Sequence, residues 1–212
     1  MKTLVKTGKT FNWQTVILLG ILAIAMAFFY TMNPRFLSAY NLANMSKHVS
    51  FVIISGCAVT LLMVAGGLDI SMGSVMACTG VFCAYLSHQG FSTPAAFMLA
   101  TGFGGFMGLI NGFVVLVFRI TPFIATLGMF FIARGFAFLL TGGLTIRDVA
   151  DDFGVMGQSE LGPFPYPFLI TLSIVIVSMI FEKKHLIGKY AVAIGGNRTA
   201  ADLSGIRTRS IL

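Results

Sequence analysis

The segment 66–74 combines residue types that could do chemistry inside a membrane. It reads Gly-Gly-Leu-Asp-Ile-Ser-Met-Gly-Ser and interrupts two apolar runs. Backbone groups and a carboxylate at membrane depth must line a cavity or be satisfied by protein, because lipid supplies no hydrogen-bond partners. The alternative is a short cytoplasmic turn in which Asp69 or Ser71 caps the next helix, and a re-entrant turn would satisfy both readings. The candidate pathway residues in this segment are Gly66, Gly67, Asp69, Ser71, Gly73 and Ser74.

A second pattern places Gly104, Gly108 and Gly112 at four-residue spacing in one apolar run. Such glycines share a helix face and allow another helix to approach closely, so we predict helix packing there. The spacing does not fit a dinucleotide-binding loop, which needs a shorter interval and a preceding strand. Asn111 lies beside this face and could bond a neighbouring helix or a polar solute; we include it among the candidate pathway residues.

Arg134 lies inside the apolar run 122–141. An arginine at the centre of a bilayer costs at least about 2.5 kcal/mol, so it needs a reason to be there. A structural pair or a side chain that snorkels to the outer interface is one reading. A role in the solute pathway is the other.

The C-terminal stretch 188–206 is rich in small residues. Asn197 is a good N-cap for a short helix and Gly205 a plausible C-terminal cap. The enclosed helix would present a compact surface suited to docking a partner protein, whereas a solvated loop is the alternative. The candidate docking residues are Gly195, Gly196, Asn197, Arg198, Ala200, Ala201, Leu203, Ser204 and Gly205.

No catalytic arrangement accompanies these patterns. The three histidines are dispersed, and the three cysteines lie in apolar runs without metal-ligand spacing. We therefore expect no enzyme activity, no metal and no cofactor.

The elements that position these residues are membrane-spanning helices. Of the 212 residues, 57% are apolar and only 10% are charged, against roughly a quarter charged in soluble domains. We predict an all-α integral membrane protein, a polytopic helix bundle of about six spans, near 13–32, 49–66, 72–88, 94–118, 122–141 and 165–181.

Charge distribution predicts the orientation. With six spans and a cytoplasmic N-terminus, ten of the fourteen Lys and Arg residues fall inside, as the positive-inside rule requires. We therefore expect a permease region over 1–181 and a cytoplasmic segment over 182–212. The net charge of +7 then reports orientation, and we expect no nucleic-acid partner.

Several blocks resemble the permeases of bacterial ABC importers for ribose, xylose, arabinose or galactose. The segment 66–74 is similar to their G-G-[IL]-D-[IL]-S-x-G-S pattern, and 190–206 is similar to their cytoplasmic coupling loop. Between these lie further similar stretches: Gly108-Leu109-Ile110-Asn111-Gly112, Ile120-Thr121-Pro122-Phe123-Ile124-Ala125-Thr126-Leu127-Gly128, Arg134-Gly135 and Leu140-Thr141-Gly142-Gly143.

The resemblance implies a permease subunit in the bacterial inner membrane that moves a monosaccharide by alternating access. Its partners would be cytoplasmic ABC ATPase subunits, a second permease copy or homologue, and a periplasmic sugar-binding protein. The 66–74 segment and Arg134 would serve the pathway, and 195–205 would couple to the ATPase. Such permeases continue beyond the coupling loop, so the resemblance also implies a C-terminally incomplete chain.

Two alternatives stay open at this point. A secondary transporter or channel would use Asp69 and Arg134 without an ATPase. A non-transporting, truncated subunit would also account for the short chain. The solute itself is not determined, since similar permeases carry branched-chain amino acids.

Overall fold

The structure, a computed structural model, describes residues 13–206 and Thr208, with only the backbone at Met156. The regular secondary structure of the described part is helical apart from one two-stranded hairpin. The helices are α1 Trp13–Met32, α2 Ala39–Val64, α3 Met72–His88, α4 Thr93–Phe118, α5 Pro122–Thr141, α6 Val155–Gln158, α7 Tyr166–Lys184, α8 Leu186–Gly196 and α9 Arg198–Leu203. The strands β1 Glu160–Leu161 and β2 Phe164–Pro165 pair antiparallel.

The all-α membrane architecture is confirmed. Each of the six predicted spans forms a helix, and five of these, α1, α2, α4, α5 and α7, are long and apolar enough to cross a membrane. The second begins at Ala39, ten residues before the predicted start, because helicity continues through a polar stretch that an apolar count excludes.

The helix α3 has 17 residues. At 1.5 Å per residue it is about 25 Å long, which is short for a bilayer core of about 30 Å. The missing length corresponds to the non-helical segment between Val64 and Met72 that precedes it.

The described residues divide into two compact units, with the boundary between Met45 and Ser46. In the first, a 3₁₀ turn at Pro34–Leu37 follows α1. The Asn33 side chain caps this turn by accepting a hydrogen bond from the Arg35 N–H. The Phe29 and Phe36 rings lie 5.3 Å apart, between centroids. Proline at the first position fits the turn because its missing N–H would be unpaired there.

The second unit is built around α3, α4 and α5. Cys78, Met107, Met129 and Ala133 form its buried cluster. Phe103 stacks against this cluster, 4.8 Å from Phe82 and 5.2 Å from Phe136 between ring centroids. These contacts supply most of the tight packing, and large apolar side chains on the outer helix faces stay exposed, as expected for a protein dissolved in lipid.

The loop between α5 and α7 is held against the ends of other helices. Lys47 forms an ion pair with Glu160 at 2.9 Å and donates a second bond to the Gln158 carbonyl. The Ser87 hydroxyl accepts from the Ala150 N–H, and Thr93 donates to Asp152. The polar loop is therefore an ordered cover over one end of the bundle.

Candidate functional site

The segment 66–71 follows α2 and begins at Gly66, whose backbone conformation other residues rarely adopt. Gly66 has φ +84°, in the left-handed region. The Gly67 N–H then bonds back to the Leu62 carbonyl at 3.0 Å. A Cβ on Gly67 would lie 2.7 Å from Leu62 Cδ1. Gly66 is thus required by the turn that ends α2, and Gly67 packs closely against the Leu62 side chain.

Asp69, Ser71 and Asn111 form a hydrogen-bonded chain. Asp69 Oδ1 accepts from the Ser71 N–H at 2.7 Å and from the Ser71 hydroxyl at 2.6 Å. The Ser71 oxygen in turn accepts from Asn111 Nδ2 at 3.0 Å. Ser71 is 0% exposed and Asn111 8% exposed. Ser71 stands at the N-cap position of α3 but makes no side-chain cap bond, so it positions Asp69 instead.

These bonds place the segment within the helical layer. Asn111 lies seven residues before the end of α4, which is about 10 Å at 1.5 Å per residue. On the neighbouring helix, Thr126 Oγ1 accepts from the Ile70 N–H at 3.3 Å, one turn after Pro122. The segment is therefore a re-entrant turn, and α3 begins inside the layer of helices rather than level with the end of α4 and the start of α5.

A cavity of about 760 Å³ opens beside this turn. Its size falls in the range of small-molecule sites. Asp69, Arg119 and Arg198 border it, and no ion pair joins these three among the described residues. The full lining is Leu62, Ala65, Gly66, Gly67, Leu68, Asp69, Gly108, Asn111, Gly112, Val115, Leu116, Arg119, Ile120, Thr121, Pro122, Thr126, Ile194, Gly195 and Arg198.

Several lining residues escaped sequence reasoning. Arg119, one of the ten basic residues that the predicted orientation places inside, ends α4 in the left-handed conformation, with φ 56° and ψ 30°. Thr121 and Thr126 lie around Pro122, in a stretch quoted above only for its resemblance. The available signal was a charged residue and hydroxyls flanking a proline between two spans.

The predicted capping of the C-terminal segment is confirmed. The Asn197 side chain accepts from the Ala200 N–H at 3.0 Å and starts α9. Gly205 has φ +82°, and the following Ile206 N–H bonds to the Ala201 carbonyl at 3.1 Å. Asn197 alone separates α8 from α9. The segment is thus two short helices rather than a loop.

The two faces of this segment differ. Ile194 is 3% exposed and Ala201 4% exposed, whereas Leu203 is 86% exposed. Of the predicted docking residues, Gly195 and Arg198 line the cavity. Gly196, Asn197, Ala200, Ser204 and Gly205 lie with Leu203 on the exposed side. A docking role for any of them stays a prediction.

Arg134 turns toward α3. Its Nε donates to Ser74 Oγ at 3.4 Å, and its guanidinium lies 4.7 Å from the centre of the Phe130 ring. These contacts agree with the structural pair of the first reading and do not test the pathway role. Ser71, Gly73, Ser74 and Arg134 do not line the cavity, so their pathway role stays a prediction.

The three glycines on one face of α4, Gly104, Gly108 and Gly112, have different surroundings. A Cβ on Gly104 would lie 2.8 Å from the Thr79 methyl group on α3, so the helices approach closely there. At Gly108 and Gly112, a Cβ would meet no atom within 4 Å, and both residues border the cavity. Of these three glycines, only Gly104 is at a close helix contact, so the predicted packing at Gly108 and Gly112 is not found.

Comparison with known proteins places the chain in a family. A family model described as "Branched-chain amino acid transport system / permease component" matches residues 41–212. The chain belongs to this family of ABC-importer permeases. It is a multi-pass inner-membrane protein, and as a permease component it is not the catalytic subunit.

Curated relatives include sugar permeases of Escherichia coli (strain K12). The chain is 34% identical over 161 residues to the galactofuranose transporter permease protein YtfT, covering 76% of this chain and 47% of the relative. It is 31% identical over 195 residues to the ribose import permease protein RbsC, covering 90% and 60%. It is 28% identical over 204 residues to the L-arabinose transport system permease protein AraH, covering 95% and 61%.

The chain thus spans about half to three-fifths of the length of these relatives. No solved structure matches it.

Proposed function

We propose that this chain provides the inner-side solute cavity and the ATPase docking segment of an ATP-driven monosaccharide importer. The observation that carries the proposal is the cavity itself. A re-entrant turn with a carboxylate, two arginines and the segment 186–203 border one space of about 760 Å³. The proposed solute site and the proposed docking segment are therefore in direct contact.

The polar groups of the cavity suit a sugar. A monosaccharide carries hydroxyls that both donate and accept hydrogen bonds. Asp69 and Thr126 supply oxygen acceptors, and Asn111 and Arg119 supply N–H donors. Apolar walls at Val115 and Leu116 exclude water from the carbon faces. This is the mixture of many apolar and few polar groups that small-molecule sites use.

The orientation that we propose has a cytoplasmic N-terminus. The cavity is bordered by the end of α2, the end of α4, the start of α5 and the segment α8–α9. If α1, α2, α3, α4, α5 and α7 each cross once, all of these ends lie on the N-terminal side of the membrane. The same side holds most of the Lys and Arg residues, which supports the assignment.

The docking surface that we propose is the exposed side of α9. Leu203 is a large apolar side chain, 86% exposed, on a helix that follows the last described span. Ala200 and Ser204 lie near it on the helix surface, since residues three and four apart are neighbours there. A surface of one large and several small side chains fits a groove of a cytoplasmic ABC ATPase. We further propose pairing with a second permease and delivery of sugar by a periplasmic binding protein.

In this mechanism the ATPase supplies the energy. ATP-driven motion of the docked ATPase would move α9, and the cavity would alternate between inward and outward access, as midplane sites of transporters do. Asp69 and Asn111 would hold the solute in the occluded state.

Co-purification tests the docking assignment. The tagged chain is co-expressed with the ABC ATPase subunit of a bacterial sugar importer and isolated in mild detergent. Leu203→Glu is expected to lower ATPase recovery at least tenfold, because a charge cannot enter an apolar groove unpaired. The matched control is Leu144→Glu, since Leu144 is 76% exposed but lies in the loop after α5. Equal recovery in both variants would refute docking through α9.

Uptake tests the transport assignment. Proteoliposomes that carry the purified complex in their membrane and ATP inside are given, on the outside, the binding protein and labelled D-ribose, L-arabinose or D-galactose. We expect ATP-dependent accumulation of one of them and at least tenfold less with Asp69→Asn. Accumulation without any ATPase would instead establish the secondary-transporter alternative, and no accumulation of any sugar would remove the monosaccharide assignment.

A further inference from the structure

Helix α8 lies in the chain between α7 and α9, and a close backbone contact holds it near each of its ends. Resting on the function proposed above, we infer that Gly195 is a positioning residue that transmits movement of α9 to the re-entrant turn, and not an ATPase-docking residue. Gly195 would act through its contact with the end of α2.

The first contact holds the beginning of α8 against α7. Gly188 is buried, and a Cβ there would lie 2.5 Å from the Phe181 carbonyl oxygen and 2.7 Å from the Glu182 Cα. Both partners are backbone atoms, which no rotamer change can move away. The start of α8 is therefore fixed closely to the end of α7.

The second contact holds the end of α8 against α2. A Cβ on Gly195 would overlap with the Val64 carbonyl oxygen and lie 3.4 Å from the Ala65 carbonyl carbon. A Cβ on Gly66 would lie 3.8 Å from the Gly195 Cα. Gly195 thus touches the last residue of α2 and the first glycine of the turn that carries Asp69. Only glycine fits between these backbones.

Both contacts lie on one face of α8. Gly188 and Gly195 are seven residues apart, which is two helical turns and nearly the same direction. The helix is therefore clamped at both ends to elements that belong to the membrane bundle. A rigid helix held in this way passes a displacement at its C-terminal end to the Gly195 contact rather than absorbing it.

The cavity wall lies directly beside the same contact. Ile194 is buried and, with Gly195 and Arg198, borders the cavity. Arg198 is the first residue of α9 and is separated from α8 by Asn197 alone. A shift of α9 therefore changes one wall of the cavity and presses on the Gly66 turn at the same time.

The test compares two Gly→Ala substitutions. Gly195→Ala introduces the overlap with Val64, whereas Gly56→Ala adds a methyl group to α2 where no atom lies within 4 Å. Both are measured in the complex with the ATPase. We expect Gly195→Ala to retain co-purification and ATP hydrolysis but to lower sugar transported per ATP at least tenfold. Gly56→Ala should leave that ratio unchanged. Equal ratios in the two variants overturn the inference, as does loss of ATPase recovery with Gly195→Ala.

A cysteine pair at the residues next to this contact tests it without placing a methyl group between the two backbones. Ala65→Cys and Ile194→Cys are combined in a chain whose three native cysteines are replaced by alanine. Oxidation is expected to join them and to lower transport per ATP at least tenfold relative to the same sample after reduction. Absence of a disulfide, or a disulfide without effect on this ratio, contradicts the inference.

A third measurement separates this inference from the proposed function. Val115→Cys, which lines the cavity, is labelled with a charged maleimide in inside-out vesicles that hold the chain without ATP. Gly195→Ala should change the labelling rate at least threefold, and Gly56→Ala should not. If the parent complex transports no sugar but this difference is present, the proposed function fails and the structural link stands. If the parent transports and the labelling rates agree, the link fails alone.

Discussion

The buried Ser71 hydroxyl joins Asn111 on α4 to Asp69 on the re-entrant turn. Its oxygen is 3.0 Å from Asn111 Nδ2 and 2.6 Å from Asp69 Oδ1. The hydroxyl donates to the carboxylate, so its oxygen is free to accept from the amide. The carboxylate beside the cavity is thereby held by a side chain two turns inside a neighbouring helix.

This relationship predicts coupling between the two substitutions Ser71→Ala and Asn111→Ala. Each removes one partner of a buried hydrogen bond, which typically costs about 1–3 kcal/mol. The double variant should be more stable than the sum of the single effects predicts, by at least about 0.5 kcal/mol, since the bond is lost only once. Unfolding of the purified chain in detergent measures this. A cycle of Asn111→Ala with Ser55→Ala serves as the control, and additivity in both cycles would contradict the bond.

The glycine face of α4 predicts a difference between adjacent positions. Gly104→Ala should destabilise the chain by about 1–3 kcal/mol, because the new methyl group would lie 2.8 Å from the Thr79 methyl. Gly105→Ala meets no atom within 4 Å and should be neutral or stabilising, since alanine favours helix. Thermal unfolding in detergent compares them. Thr79→Ser removes the opposing methyl and should restore most of the loss; failure to rescue would assign the cost elsewhere.

The ion pair between Lys47 and Glu160 predicts that the loop 142–165 is held by charge. Lys47 is 19% exposed and Glu160 42% exposed in their side chains, so the pair is partly screened. Lys47→Met should lower the free energy of unfolding by about 1 kcal/mol or less and speed proteolysis of this loop. The effect should shrink in 1 M salt. Asp148→Asn, a loop carboxylate without a described ion pair, is the comparison, and equal proteolysis rates would count against the anchor.

The proposed orientation predicts opposite labelling of two exposed leucines. In a chain without native cysteines, Leu144→Cys should react with an impermeant maleimide added to intact spheroplasts. Leu203→Cys should react only after the membrane is permeabilised. The reverse pattern would invert the topology, and labelling of both from outside would mean that the segment α8–α9 is not cytoplasmic.

The features that could be predicted from the sequence are those that depend on interactions between residues close together in the chain. The helices followed from the length of the apolar runs, because lipid forces each crossing segment to satisfy its own backbone. The caps at Asn197 and Gly205 were also predictable, since a cap bonds to groups three or four residues away.

The assignment of residues to the cavity was only partly predictable. Asp69 and Asn111 border the cavity and were candidates in the sequence because a polar group in an apolar run stands out, and their pathway role stays a prediction. Arg119 and Thr126 were missed because a charge or hydroxyl at a helix end is ordinary in sequence. Whether it faces a cavity depends on which helix lies opposite.

The sequence alone determined the chemistry of the re-entrant turn: two glycines, a carboxylate and a serine that could not remain in lipid unsatisfied. The tertiary structure decided their partners. It brought Asn111 to Ser71 over forty residues of chain and Gly195 to Val64 over more than a hundred. Contacts of this kind depend on the packing of whole helices, which no local pattern encodes.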